Sequence, residues 1–273
     1  MKFSISNIAW PVEWDKQIFQ KLIELGFDSI EIAPNRTLLN GYESTQEQIN
    51  QWNKQYFEFF SEISSMQSLL FKVESRIFES DETMEHVLKI LEKGIRFASL
   101  LNVKTIVFGS PSIRNVDNQE QYLRSQLFFT RLASFAKSVC INVALEPNPK
   151  IYNTNFLNNT TEAVEYVKYL NQSNLGINLD YGTIIENNEL IHDIMTEENI
   201  ILIKHVHISE PYLTKINFQR RKEHVEFLKS LVSLNYSAYI SIEMKSACTF
   251  EEIVDVLNYI KAIGIEAGAF YEK

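Results

Sequence analysis

Four side chains able to ligate a metal or move a proton recur in the second half of the chain: Glu146, Asp180, His207 and Glu243. They are spaced by 34, 27 and 36 residues (180−146, 207−180 and 243−207). Each stands in or at the end of a short apolar run: Leu145-Glu146-Pro147, Asn178-Leu179-Asp180, His205-Val206-His207 and Ser241-Ile242-Glu243. Taken singly, a glutamate ending such a run is an ordinary solvated end or salt-bridge partner, and a histidine inside one is an ordinary core residue. Taken together, at four successive run ends, they form a set that can converge. Three carboxylates brought to one point repel one another unless a positive charge joins them. One divalent cation removes that conflict, and mixed carboxylate and imidazole donors suit Mn²⁺, Mg²⁺, Co²⁺ or Zn²⁺ rather than a sulfur-seeking metal.

Convergence requires a scaffold that repeats with the same interval. Short β-rich runs alternate with longer amphipathic stretches along the whole chain, and eight such units can be counted. Strands are expected over 3–9, 29–33, 67–73, 104–108, 141–146, 175–179, 203–208 and 238–242. Helices are expected over 13–25, 45–64, 81–100, 117–139, 189–197 and 219–234, with two more opened by the caps at Asn159-Thr160-Thr161-Glu162 and Thr249-Phe250-Glu251-Glu252. Gly26 is placed to close the first helix in the left-handed conformation.

Near-continuous apolar runs such as Thr105-Ile106-Val107-Phe108 suit a parallel sheet covered on both faces. Eight strand–helix units in 273 residues average about 34 residues each, close to the spacing of the three acids and the histidine. This predicts a single (β/α)8 barrel domain over 1–273, whose strand C-termini carry the active site. An open doubly wound sheet is the alternative, but the G-x-G-x-x-G turn after the first strand is absent.

Composition narrows the partners. A net charge of −9 disfavours nucleic acid, and the one basic cluster, Lys215, Arg220, Arg221 and Lys222, reads as a solvated helix start. The two cysteines, Cys140 and Cys248, have neither metal nor disulfide spacing and are expected to be reduced and mostly buried. The N-terminal segment alternates apolar and polar residues and meets charge at Glu13, Asp15 and Lys16, as a strand does and a signal peptide does not. No run approaches the roughly 18 apolar residues of a membrane helix. The expectation is a cytoplasmic protein acting on a small molecule, with no nucleic acid or membrane partner and with a homodimer left open.

In order and spacing, Leu145-Glu146-Pro147, Leu179-Asp180, His205-Val206-His207 and Ser241-Ile242-Glu243 resemble the four metal-binding segments of the xylose-isomerase-like barrel superfamily. That group includes sugar-phosphate isomerases, ketose 3-epimerases and endonuclease IV. Gly26-Phe27-Asp28-Ser29-Ile30-Glu31 resembles its second-strand entry. The segments 3–10, 66–71, 107–111 and 207–211 are similar to a bacterial subgroup of sugar-phosphate isomerase/epimerases. Two departures stand out. Many relatives carry a histidine three residues after the strand-6 aspartate, where this chain has Thr183, and an arginine shortly after the strand-7 histidine, where it has Ile208-Ser209-Glu210-Pro211.

Two glutamates beside a metal suit proton transfer next to a carbonyl, because a cation there stabilises the charge of an enediolate. Glu146 and Glu243 are the candidate acid/base pair as well as ligands, and Asp180 and His207 are ligands only. Return of the proton to the same carbon gives epimerisation, and to its neighbour gives isomerisation. Asn7, Trp10, Glu31, Gln67, Ser110, Arg114, Asn148 and Lys245 are candidates for sugar contacts, with Arg114 suited to a phosphate or carboxylate. His205 shares the parity of His207 and reads as a buried residue one layer below, while His86, His192 and His224 fall on helices expected at the surface. Rival readings are a hydrolase like endonuclease IV, a metal-dependent dehydratase or lyase on a sugar acid or cyclitol, and a non-catalytic sugar-binding barrel.

Overall fold

Strand parity accounts for the first layer of the architecture. In β1 (Lys2–Ser6), Phe3 and Ile5 share one face and Ser4 and Ser6 the other. Phe3 packs against Phe27 and Phe270, while the Ser4 hydroxyl meets that of Ser241. The other strands are β2 (Ser29–Ile32), β3 (Ser65–Met66), β4 (Thr105–Phe108), β5 (Asn142–Leu145), β6 (Leu175–Asp180), β7 (Ile203–Ile208) and β8 (Tyr239–Ile242), of which β4 and β5 are almost wholly apolar. In the computed structural model, which describes residues 1–270, these eight strands are all parallel and close into a barrel in sequence order, β8 pairing with β1. The fold is a (β/α)8 TIM barrel.

Helices cover the outside: α1 (Asp15–Leu25), α2 (Pro34–Thr37), α3 (Gln46–Tyr56), α4 (Asp81–Leu100), α5 (Gln119–Ser138), α6 (Thr160–Leu170), α7 (Tyr181–Asn187), α8 (Ile191–Ile194), α9 (Glu197–Ile200), α10 (Arg221–Ser233) and α11 (Phe250–Glu266). Their starts follow local chemistry. Thr45 and Ser80 form capping boxes with Gln48 and Thr83, and Asn118, Asn159 and Thr249 each accept from a backbone N–H of the first turn. Gly26 closes α1 at φ +86°, as expected. No helix among the described residues is long and apolar enough to cross a membrane.

Several local expectations need correction. β3 is two residues long and lies before the expected segment, which runs on as a loop. Ser68 and Lys72 adopt left-handed φ of 55° and 66°, which ends the extended backbone, and the apolar Leu69 and Leu70 pack under the loop instead. α3 stops at Tyr56, whose hydroxyl donates to the Glu62 carbonyl, and the aromatic residues after it pack as a loop cluster. After β6 an unexpected helix, α7, begins at once with Asp180 as its cap, and the helix expected over 189–197 is shortened to the single turn of α8. Both cysteines are exposed rather than buried. His224 is buried, its Nδ1 within 2.8 Å of the Tyr259 hydroxyl, because α10 turns that face towards Tyr181 and α11.

Candidate metal centre and active site

The strand register brings the four principal residues to one end of the barrel. Asp180, the last residue of β6, is the pairing partner of His207 in β7. Glu146 follows β5 and donates its N–H to Phe108 O, and Glu243 follows β8 and donates to Ile208 O. One donor atom from each of Glu146, Asp180, His207 and Glu243 lies within 4.8 Å of all the others. His207 Nδ1 is 3.2 Å from Glu146 Oε1 and 3.2 Å from Glu243 Oε2.

Each group is oriented by neighbours. Glu146 Oε1 accepts from Asn178 Nδ2 at 2.8 Å and Oε2 from Asn148 Nδ2 at 3.0 Å. Asp180 Oδ2 accepts from the Thr183 N–H at 2.8 Å and is 2.9 Å from its hydroxyl, while Oδ1 accepts from Ser209 Oγ. Thr183, standing where many relatives have histidine, therefore holds the aspartate and reaches Pro147 O at 3.0 Å. His207 Nε2 is 2.9 Å from Glu31 Oε2.

Burial and the crowding of like charges set the electrostatics of the cluster. Burial opposes charge on His207, yet Glu31, Glu243 and Glu146 outweigh it and hold the imidazole well above its ordinary value. Burial pushes the Glu243 carboxyl up to about 7, with His207 partly offsetting it. Burial and Glu146 raise Asp180. For Glu146, burial is outweighed by His207 and the amides of Asn148 and Asn178, and its carboxyl lies below the usual range. Three carboxylates, those of Asp180 and Glu243 buried and that of Glu146 half-buried, and one imidazole nitrogen at a common point fit a divalent ion, which would supply compensating positive charge.

A cavity of about 350 Å³ opens beside this cluster. Its walls are Ile8, the loop 67–73 after β3, Val107, the loop 109–113 after β4 and Leu213. Glu146 and Glu243 line it, whereas Asp180 and His207 do not. A larger cavity of about 810 Å³ lies at the opposite end of the barrel, around Lys2, Asp28 and Phe270, far from the chemistry.

The other sequence candidates divide sharply. Gln67 and Ser110 line the cavity, and Asn148 touches Glu146 while its Oδ1 has no partner. Lys245 is exposed and bonds through its backbone N–H to Leu213 O. Four candidates are turned to structural work. Asn7 ties Ala33 N and Thr37 Oγ1 together. Trp10 is 1% exposed, with Nε1 bonded to Asp15, which leaves no open ring face for a sugar. Arg114 is fully buried and donates to the carbonyls of Gly109, Glu146 and Leu157, so it braces the Glu146 loop and is withheld from any phosphate. Glu31 is fully buried beneath the cluster, out of a substrate's reach. His205 occupies the interior as expected, its Nε2 within 3.1 Å of Ser65 Oγ and 2.9 Å of Ser241 Oγ. Sequence reasoning passed over Asn178, Ser209 and Tyr152, whose hydroxyl accepts from the Tyr212 N–H at 2.7 Å. For Asn178 the signal was present, since it shares the strand parity of Asp180.

The model of the xylose isomerase-like TIM barrel family matches residues 19–263. A curated relative, the ketose 3-epimerase of Arthrobacter globiformis, is 37% identical over 83 residues, which is 30% of this chain and 28% of that protein. The chain thus spans under a third of that relative's length. Among solved structures, the 3-keto-D-glucoside 4-epimerase of E. coli superposes with a TM-score of 0.74 at 18% identity, covering 97% of this chain and 99% of that one. The IOLI protein with a bound zinc atom superposes with a TM-score of 0.71 at 16% identity over 100% of both chains. At those identities the structural likeness speaks to the fold.

Proposed function

We propose, from the premise that this chain belongs to the xylose isomerase-like TIM barrel family, that it is a divalent-metal-dependent sugar isomerase or epimerase. One observation carries the reading. Of the four clustered donors, Glu146 and Glu243 alone also line the cavity, so two carboxylates from strands β5 and β8 face whatever binds there. Asp180 and His207 do not line it and are held by Ser209, Thr183 and Glu31. This division supports two acid/base groups and two groups that serve as ligands only.

When bound by Glu146, Asp180, His207 and Glu243, the metal would polarise a substrate carbonyl and stabilise the charge of the enediolate. One glutamate then removes the carbon-bound proton and the other delivers one. Delivery to the opposite face of the same carbon inverts it, and delivery to the neighbouring carbon exchanges aldose and ketose. Gln67 and Ser110 offer neutral hydrogen-bonding groups to sugar hydroxyls, and a cavity of about 350 Å³ suits a monosaccharide. The ketose 3-epimerase and 3-keto-glucoside 4-epimerase among the similar proteins act on substrates of this kind. A dehydratase or lyase would begin with the same proton removal and differ in losing a β-substituent. The burial of Arg114 withholds its guanidinium from a sugar phosphate, while the Lys72 ammonium group stays on the cavity wall.

The test is exchange of substrate protons with solvent. The protein is loaded with Mn²⁺, Mg²⁺, Co²⁺ or Zn²⁺ and incubated in deuterated water with ketoses, sugar phosphates and nucleotide sugars. Deuterium should enter at a carbon next to the carbonyl, together with an epimeric or isomeric product. Loss of water from the substrate would move the reading to a dehydratase. No exchange with any sugar under any of the metals would overturn it.

A further inference from the structure

Beneath the four converging donors lies a carboxylate that the reaction does not use. Glu31, on β2, is fully buried inside the barrel. Its Oε2 lies 2.9 Å from His207 Nε2 and 3.2 Å from His205 Nε2, and accepts from Ser65 Oγ at 2.6 Å. The opposite nitrogen of the same imidazole, His207 Nδ1, faces Glu146 and Glu243, and the Asn178 amide nitrogen stands 3.0 Å from it. A neutral imidazole carries one N–H and one lone pair, and its tautomer follows from what each nitrogen meets. An ionised carboxylate can only accept, so it draws the N–H to Nε2. The lone pair is then left at Nδ1, the nitrogen that faces the other donors.

We propose that Glu31 is a positioning residue for the metal centre: it holds His207 in the Nε2–H tautomer, with Nδ1 aimed as a ligand, and makes that nitrogen a stronger donor. A histidine ligand whose other N–H is given to a carboxylate is fixed in rotation as well as in tautomer. Here the carboxylate is itself held, by the Ser65 hydroxyl and His205, so the restraint passes from β3 through β2 to β7. Glu31, His205 and His207 also lie close enough together to hold an ion of their own. The carboxylate oxygen is already at hydrogen-bond distance from all three of its neighbours, which favours a hydrogen-bonded network over a second cation. The inference rests on the metal-dependent reading above.

The test measures metal binding rather than turnover. Affinity for Zn²⁺ and Mn²⁺ is determined by chelator competition on the parent protein and on Glu31→Gln, Glu31→Ala and Ser65→Ala, with melting of each metal-free variant as the fold control. The parent should bind one ion per chain. Loss of such an outer partner typically weakens binding about 10–100-fold, and we expect Glu31→Gln near the lower figure and Glu31→Ala near the upper. Ser65→Ala keeps the carboxylate and should lose less, and it carries the test together with Glu31→Gln if the alanine variant does not fold. Nitrogen NMR of histidine-labelled, Zn²⁺-loaded parent should show His207 protonated at Nε2. Parental affinity in folded Glu31 variants, or a proton on Nδ1, overturns the role. Two ions per chain falling to one in Glu31→Ala would make Glu31 a ligand and overturn it as well. A parent that binds no divalent metal overturns the metal centre and, with it, this inference.

Discussion

At the scale of single residues, Glu146 and Glu243 are unequal. Glu146 receives two amide N–H groups, from Asn178 and Asn148, which favour its ionised form. Glu243 accepts no such amide N–H among the described residues, and burial raises it towards neutrality. Two titratable groups pushed apart in this way are suited to opposite roles, one as base and one as acid. Replacing either by Gln keeps one ligand oxygen and removes the proton-transfer group, so kcat should fall about 10²–10⁴-fold. In an epimerisation, one Gln variant should still wash solvent deuterium into unreacted substrate while forming no product, and the other should do neither. Running the reaction backwards should exchange the two behaviours. Near-parental turnover by both would rule out the two-carboxylate mechanism. The same groups predict proton release on metal binding, because the metal-free cluster retains protons on His207 and on part of Glu243 that a cation must displace. Calorimetry near pH 7 in buffers of different ionisation enthalpy should register that release, and affinity should weaken as the pH is lowered. A heat of binding that is the same in every buffer would exclude it.

At the scale of elements, the loops after the strands set the precision of the site. Gly109, directly after β4, has no side chain where a Cβ would come within 2.6 Å of Glu146 Oε2. Arg114, further along the same loop, grips the Glu146 carbonyl from behind. Gly109→Ala should therefore displace the Glu146 carboxylate while leaving the barrel intact. Misplacing a catalytic group by about 1 Å can cost on the order of 10²-fold in rate, and a loss of that order in kcat/KM is expected with little change in melting temperature. A parental rate, or a collapse of stability instead, would show that the close approach is not what positions Glu146. Asp180 shows another economy of the loops, since the residue that ends β6 also caps α7 through its bond from the Thr183 N–H.

For the whole molecule, a metal held only by the folded barrel adds its binding energy to stability. At a free concentration 100 times Kd the gain is about 2.7 kcal/mol, which for a chain of this size raises Tm by on the order of 5–10 °C. Thermal unfolding with and without the metal should show that rise in the parent and lose it in Asp180→Ala. An equal rise in both would place the ion elsewhere. Acid should act through His224, packed between α10, α7 and α11 and faced by Glu210, Arg220, Glu223, Tyr181 and Tyr259. Burial pushes its pKa down to about 4, below the roughly 6.5 of an unfolded histidine. The unfolded chain therefore takes up the proton first, and stability falls as the pH drops from about 6.5 to about 4. Denaturant titrations of parent and His224→Gln across that window should diverge, the variant losing less, and parallel curves would exclude the histidine as the cause.

Much of this was open to reading from the chain because it is periodic. Alternating apolar runs and capped helices imply the barrel, and a barrel places every strand end on one rim, so Glu146, Asp180, His207 and Glu243 could be grouped from spacing alone. Parity also placed His205 in the interior. What parity cannot supply is depth and partnership. Glu31 and His207 are 176 residues apart in sequence, and their contact exists only because the closed barrel sets the interior faces of β2 and β7 opposite each other. The same holds for Arg114, whose guanidinium was as compatible with an incoming phosphate as with the three carbonyls that enclose it. The long apolar tail of the β3 segment became a cavity wall rather than a strand, because left-handed backbone at Ser68 and Lys72 turned it out of the sheet. Residue type and interval determined which groups could meet at the rim. Closure of the sheet, which sums the twist and register of all eight strands, decided which face the cavity and which are enclosed behind it.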